Sequence, residues 1–207
     1  MARRTKEDAL ETRRQILLTA LRLFSERGVA KTSFEDIAHA LHLTKGAVYW
    51  HFETKNVLLV DLIRAAHAET VKVLGTLVPG TGWNGIRDYF INWSNYIVSD
   101  EQARQYFFLF SFQVEWSGEL MESLRDAFWK EGGTPFYQLR ACITALAEKG
   151  LVRAGVSVDE LTSLLVALWH GTAKCQIINN LKFNLAETVG KGFDAVAASY
   201  LVKEQHT

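Results

Sequence analysis

Apolar side chains recur every three to four residues along nearly the whole chain, and no stretch alternates apolar with polar as a half-buried strand does. Only two prolines, Pro79 and Pro135, interrupt 207 residues. The chain is therefore expected to be all-α, and long enough to bury a substantial core. Ile16, Leu17, Ala20, Leu23 and Phe24 form the apolar stripe of a first helix, which Gly28 would end. The spacing Thr32-x-x-Glu35 predicts a capping box for a short second helix with Phe34, Ile37, Ala38 and Leu41 inward. After a tight turn at His42-Leu43, Thr44 would cap a third helix at about 45–51. Thr54 would cap a fourth running from Lys55 to about Leu77, and Pro79-Gly80-Thr81-Gly82 is the clearest break. Further helices are expected near 85–98, 101–114, 118–131, 135–149, 158–180 and 186–203, with Thr134 capping and Pro135 opening the one at 135.

The second and third helices decide what the chain can do. Each is about seven residues, and neither is stable alone in water. They must share a small core with the first helix through Phe24, Ile37, Leu41, Leu43, Val48 and Phe52, a helix-turn-helix. The third helix is odd as a purely structural element. Lys45, Gly46 and Ala47 make its first turn small and basic, and Gly46 weakens a helix by about 1 kcal/mol relative to alanine. A small, basic helix start lets the backbone and Lys45 enter a major groove, while the Thr44 hydroxyl and the first amides meet phosphates. Tyr49, Trp50 and His51 offer polar tips at the rim.

Net charge is zero, but residues 1–60 carry 10 basic and 7 acidic side chains, a balance of +3 offset by −3 in the remainder. No apolar run reaches membrane-spanning length, and the charged N-terminus has no signal-peptide core, so a cytoplasmic protein without a membrane partner is expected. Cys142 and Cys175 are far apart, which fits a reduced, disulfide-free chain. No G-x-S-x-G, P-loop, HExxH or strand-linked G-x-G-x-x-G is present, so no catalytic residues are assigned and an enzyme is not expected. His39 and His42 lack a third ligand, so neither a metal nor a cofactor is expected.

The pattern I-A-x-x-x-x-x-T-x-G-x-V-Y-x-H-F-x-x-K from Ile37 to Lys55 resembles the DNA-binding signature of the TetR family of bacterial regulators. Gly46-Ala47-Val48-Tyr49-Trp50-His51-Phe52 is similar to its AcrR-like branch, many of whose members control multidrug efflux. The resemblance covers about 55 residues closely; beyond them only length and helical layout match. It implies an N-terminal three-helix DNA-binding domain at 1–54 and a helical ligand-binding and dimerisation domain at 55–207. Lys45, Gly46 and Ala47 would face base edges, with Trp50 at the rim. Thr44, Tyr49, His51, Lys55, Thr32 and Ser33 would hold phosphates, and Arg3 and Arg4 would form an arm reaching DNA. One position departs from the family: Leu41-His42-Leu43 stands where Ala-Gly-Val is usual. Histidine tolerates a positive φ better than most residues, so the turn should survive with modest strain.

Fifteen of the 24 aromatic residues fall between Trp83 and Tyr137. Most are expected in the core, among them Phe90, Trp93, Phe108 and Phe112. The resemblance also implies an inducer pocket among these helices. Its candidate lining is Phe107 and Ser111, which would share a face at i,i+4, with Tyr96, Trp116, Phe136, His67 and His170. Such a lining suits a hydrophobic or aromatic small molecule, or a cation with Glu115 as counter-charge. Broad apolar faces at Leu161, Leu165 and Leu168 and at Phe193, Val196 and Tyr200 suggest a partner surface, and the resemblance implies a homodimer joined by the last two helices. The implied function is a repressor that binds a palindromic double-stranded operator as a dimer, is released by its ligand, and controls an efflux or transport gene. An activator, a ligand-blind regulator of the same fold and a protein that sequesters small molecules remain alternatives.

Overall fold

The computed structural model describes residues 6–129 and 135–202, so the expectations for Arg3, Arg4 and Thr134 lie outside it. Among the described residues ten α-helices follow in order: α1 Lys6–Arg27, α2 Phe34–Ala40, α3 Lys45–His51, α4 Lys55–Leu74, α5 Trp83–Ser99, α6 Glu101–Phe108, α7 Gly118–Trp129, α8 Pro135–Glu148, α9 Val158–Ile178 and α10 Leu185–Tyr200. Among the described residues the only β pairing is an isolated antiparallel bridge, Val152 with Leu201.

The helices form two compact units. One comprises α1 to α3, α4 as far as Glu69, and Asp100–Ala127; the other takes the end of α4, α5 and the chain from Phe128 onward. Two of the three boundaries fall inside helices, α4 and α7, and the third lies between α5 and α6. They divide the chain by packing, whereas the division expected at residue 54 concerns roles.

In the first unit the small core forms as the periodicity predicts. Phe24, Ile37, Val48 and Phe52 are all fully buried, and α4 adds Leu58, Leu59 and Leu62. Arg13 of α1 lies 4.4 Å over the Phe52 ring and pairs with Asp61 of α4, so one guanidinium ties α1, the end of α3 and α4 together. The helix after Asp100 is not α-helical to residue 114. It widens into a π-helical turn at Leu109–Gln113, which closes with Val114 N–H donating to Leu109 O at 3.2 Å.

In the second unit α10 packs on α5 and α9. Trp169 is fully buried and stacks on Trp93 at 4.0 Å, with Phe90 edge-on at 6.2 Å. Its indole N–H donates to Ser94 Oγ at 3.0 Å, and that hydroxyl donates to Phe90 O at 2.7 Å. Arg153, between α8 and α9, donates to Ala198 O and Leu201 O, both at 2.9 Å, and so caps the end of α10.

Helix ends explain most differences from expectation. α4 stops at Leu74 rather than Leu77 because Gly75 takes a φ of +77° and its N–H closes on Val71 O. The capping box of α2 is Ser33 with Asp36, one residue later than expected. Ser33 N–H donates to Asp36 Oδ2 at 2.7 Å, and Asp36 N–H donates to Ser33 Oγ at 3.1 Å. The Ser33 hydroxyl and amide hold the Asp36 carboxyl below the usual carboxylate range. Folded pKa below unfolded means this contribution is present above the ordinary carboxylate pKa and lost as pH falls through the lowered value.

Candidate nucleic-acid interface

The turn between α2 and α3 is a Schellman motif: Leu43 N–H reaches Ala38 O at 2.9 Å and His42 N–H reaches His39 O at 3.1 Å. His42 occupies its left-handed position with φ +54°. The same motif ends α8 with Gly150 at φ +72° and α9 with Asn180 at φ +48°. A side chain at such a φ is strained where glycine is not. His42→Gly is therefore expected to stabilise the protein by about 1 kcal/mol, after the entropy glycine adds to the unfolded chain. A thermal melt should rise by about 2–4 °C; a fall would mean that the imidazole makes a compensating contact.

This turn sets α3 so that Val48 is buried while Lys45, Gly46, Tyr49 and Trp50 stay exposed. Lys45 and Gly46 open the exposed face, with Tyr49 and Trp50 one turn further along it. Thr44 caps the helix, its hydroxyl accepting from Ala47 N–H at 3.1 Å. Tyr49 leans edge-on against the buried Phe34 ring at 4.9 Å and leaves half its surface outside. Trp50 is 73% exposed, and His51 beneath it is half-buried, with ring centres 4.6 Å apart. Ala47 is half-buried and Ser33 exposed.

Gly46 is exposed, and a Cβ built on it would meet nothing nearer than Thr44 Oγ1 at 3.9 Å. Packing within the chain does not require glycine there.

Two residues expected at phosphates make hydrogen bonds within the chain. Thr32 is 1% exposed, and its hydroxyl donates to Gly28 O at 2.9 Å, closing the end of α1. Lys55 is half-buried, and its ammonium donates to Val29 O at 3.0 Å, fastening the start of α4 to the α1–α2 loop. Sequence reasoning assigned Glu35 to a capping box with Thr32 and missed that its carboxylate stands 3.7 Å from the Lys45 ammonium. Ten residues separate the pair, so no helical spacing announces it.

The family profile of bacterial regulatory proteins of the tetR family matches residues 16–62, which span α1 from Ile16 through α3 and into α4. The chain is 26% identical to a probable acrEF/envCD operon repressor of Escherichia coli strain K12, over the whole of this chain and 94% of that one. Residues 16–62 thus form a TetR-family DNA-binding domain, and the chain as a whole is similar to AcrR-like repressors. Against the transcriptional regulator TtgR of Pseudomonas putida, identity rises to 51% over 67 residues, 32% of each chain. The crystal structure of NalD, the secondary repressor of the MexAB-OprM multidrug efflux pump in Pseudomonas aeruginosa, superposes with a TM-score of 0.73 at 25% identity. That match covers 96% of this chain and 100% of NalD. The chain is thus a transcription regulator and not an enzyme.

The residues expected to line a ligand pocket divide between the two units. In the first, His67 is half-buried on α4 and Phe107 is buried on α6. Ser111 lies inside the π turn, so its offset from Phe107 is not the α-helical i,i+4 that was expected. Trp116 is 47% exposed and its indole N–H donates to Phe110 O at 3.1 Å, which makes it a brace on the π turn rather than an interior wall. In the second unit, Tyr96 on α5 and Phe136 on α8 are half-buried. His170 on α9 abuts Trp169 at 4.8 Å and Trp93 at 6.4 Å. Burial, with the Lys174 charge one turn on, pushes its pKa down to about 4, so it is neutral at pH 7.

Of the six residues expected at a dimer surface, four are buried within the chain and two are half-buried. Leu161, Leu165, Phe193 and Val196 are buried within their own chain, with the Phe193 ring 4.9 Å from Phe90. Leu168 and Tyr200 are half-buried. Among the positions α9 leaves exposed, Leu164, Ala167, Gly171, Cys175 and Ile178 recur at helical spacing on one face. Among the described residues no three His, Cys, Asp or Glu side chains cluster as metal ligands, and no helix is long and apolar enough to cross a membrane.

Proposed function

We propose that this protein is a TetR-family, ligand-responsive repressor that binds a palindromic DNA operator as a homodimer. The observation that carries the reading is Gly46, an exposed glycine that nothing inside the chain requires, between Lys45 and Ala47 at the start of α3. Lys45, Gly46 and Ala47 face base edges in the major groove, and Ser33, Thr44, Tyr49 and His51 meet phosphates around them. Trp50 adds a broad amphipathic surface at the rim.

Residues 1–54 carry the DNA-binding role, and 55–207 carry ligand binding and dimerisation. The exposed α9 face from Leu164 to Ile178 meets its counterpart in a second copy. A twofold dimer presents two α3 helices to half-sites about 34–36 Å apart, or a multiple of that. A hydrophobic or aromatic small molecule releases the DNA by binding one domain arrangement more tightly than the other; equal affinity for both would shift nothing. α4 is the lever, because the boundary between the compact units falls within it. The names of the relatives support an efflux or transport gene as the target, and a repressor bound to bacterial DNA acts in the cytoplasm.

Ligand response is tested by adding 2-naphthol, or glucose as control, to a preformed complex with duplex DNA enriched from a randomised pool. Fluorescence anisotropy is expected to fall with the aromatic compound and stay constant with the sugar. If a panel of neutral and cationic aromatic compounds all leave the complex intact, the regulator is ligand-blind.

A further inference from the structure

We infer that Glu35 is a specificity-determining residue of the DNA interface, acting through Lys45; the inference rests on the DNA-binding role proposed above. Glu35 opens α2 beside Asp36, but the two carboxylates do different work. Asp36 is committed to the capping box with Ser33. Glu35 takes no part in that cap; it is exposed and stands 3.7 Å from the Lys45 ammonium, with both side chains more than half exposed. An exposed ion pair of this kind adds little to stability, at most about 1 kcal/mol. A carboxylate on a surface meant to meet phosphates also opposes binding. Its placement beside the one lysine of the α3 first turn therefore calls for a functional return.

That return is the choice of what Lys45 touches. A lysine ammonium is a point charge on a flexible stem, and on DNA its default partner is the nearest phosphate, which carries no sequence information. Glu35 holds the ammonium on the α2 side of the α3 first turn. In a register where Lys45 turns to a phosphate, the ion pair opens and that phosphate faces the Glu35 carboxylate, so such a register is penalised. In the correct register the Lys45 donors reach base-edge acceptors such as guanine O6 and N7 while the ammonium stays beside Glu35, and the penalty is largely avoided. Glu35 thus lowers binding to arbitrary DNA more than binding to the operator, and discrimination rises through a repulsive element.

The test compares the wild type with Glu35→Gln, which keeps size and hydrogen-bonding capacity and removes the charge. Anisotropy is measured on the enriched duplex and on a scrambled duplex of the same composition, across a salt series. The variant is expected to bind scrambled DNA about three- to tenfold tighter, with a log–log salt slope steeper by about one as Lys45 gains a phosphate. Affinity for the enriched duplex should change less than about twofold, so the preference falls. Glu35→Asp, which keeps the charge on a shorter arm, should retain most of the preference. An unchanged or larger preference in Glu35→Gln overturns the inference. So does equal weakening on both duplexes, which would make Glu35 merely structural. A wild type that binds neither duplex overturns the DNA-binding reading as well, so the two failures are told apart.

Discussion

Gly46→Leu is expected to leave the protein folded and to abolish operator binding. The substitution is safe for the fold because the position is exposed, α3 already holds its helical backbone there, and a Cβ meets only Thr44 Oγ1 at an ordinary 3.9 Å. Replacing glycine within a helix should raise stability by up to about 1 kcal/mol. On DNA the same side chain stands where the backbone must approach the groove floor. It separates Lys45 from base edges and the α3 amides from phosphates together. The expected loss of affinity is about 100-fold or more, equivalent to roughly 3 kcal/mol. Circular dichroism melting and anisotropy on one preparation measure both halves. A variant that melts no lower than wild type but has lost DNA shows that the glycine serves the DNA. Retained affinity would move the recognition surface away from the first turn of α3.

Trp169→Ala should destabilise the protein by about 4 kcal/mol. The indole is fully buried, stacked on Trp93 and edge-on to Phe90, and its N–H is satisfied by Ser94. Truncation removes that surface, leaves a cavity that helices of this length cannot close, and takes a hydrogen bond from the Ser94 hydroxyl. For a chain of this size the melting temperature should fall by about 10 °C. Trp169→Phe keeps a ring and should recover roughly half of the loss. A drop under about 1 kcal/mol for the alanine variant would mean that the α5–α9 packing is plastic enough to refill the space.

The helical layout was legible because its signals are local. Apolar period, cap residues and glycine punctuation placed every helix to within a few residues, and the buried set Phe24, Ile37, Val48 and Phe52 follows from the same period. The exposed face of α3 was legible too, since Lys45 and Gly46 are peculiar in a helix that has nothing to gain from them. Signals that depend on tertiary partners were not. Thr32 and Ser33 are chemically alike at a helix start, and only the carbonyl of Gly28, four residues back, decides which of them turns inward. Lys55 matched a phosphate-binding position, but the Val29 carbonyl that holds it lies in the α1–α2 loop. At α9 and α10 the apolar residues are numerous enough to serve both their own core and a partner. Periodicity identifies such a stripe without saying which edge faces which. The π turn at Leu109–Gln113 leaves no mark in residue type; it appears as a one-residue change of register that puts Ser111 off its expected line.

The central claim is that α3 reads a DNA sequence from a phosphate-anchored platform. The most direct measurement is fluorescence anisotropy of the purified protein on an operator duplex enriched from a randomised pool, against a scrambled duplex, over a salt series. The account predicts a preference of about a thousandfold or more near physiological salt, with a steep negative log–log salt slope on both duplexes. A folded protein that binds neither duplex, or binds both alike at every salt concentration, would contradict it.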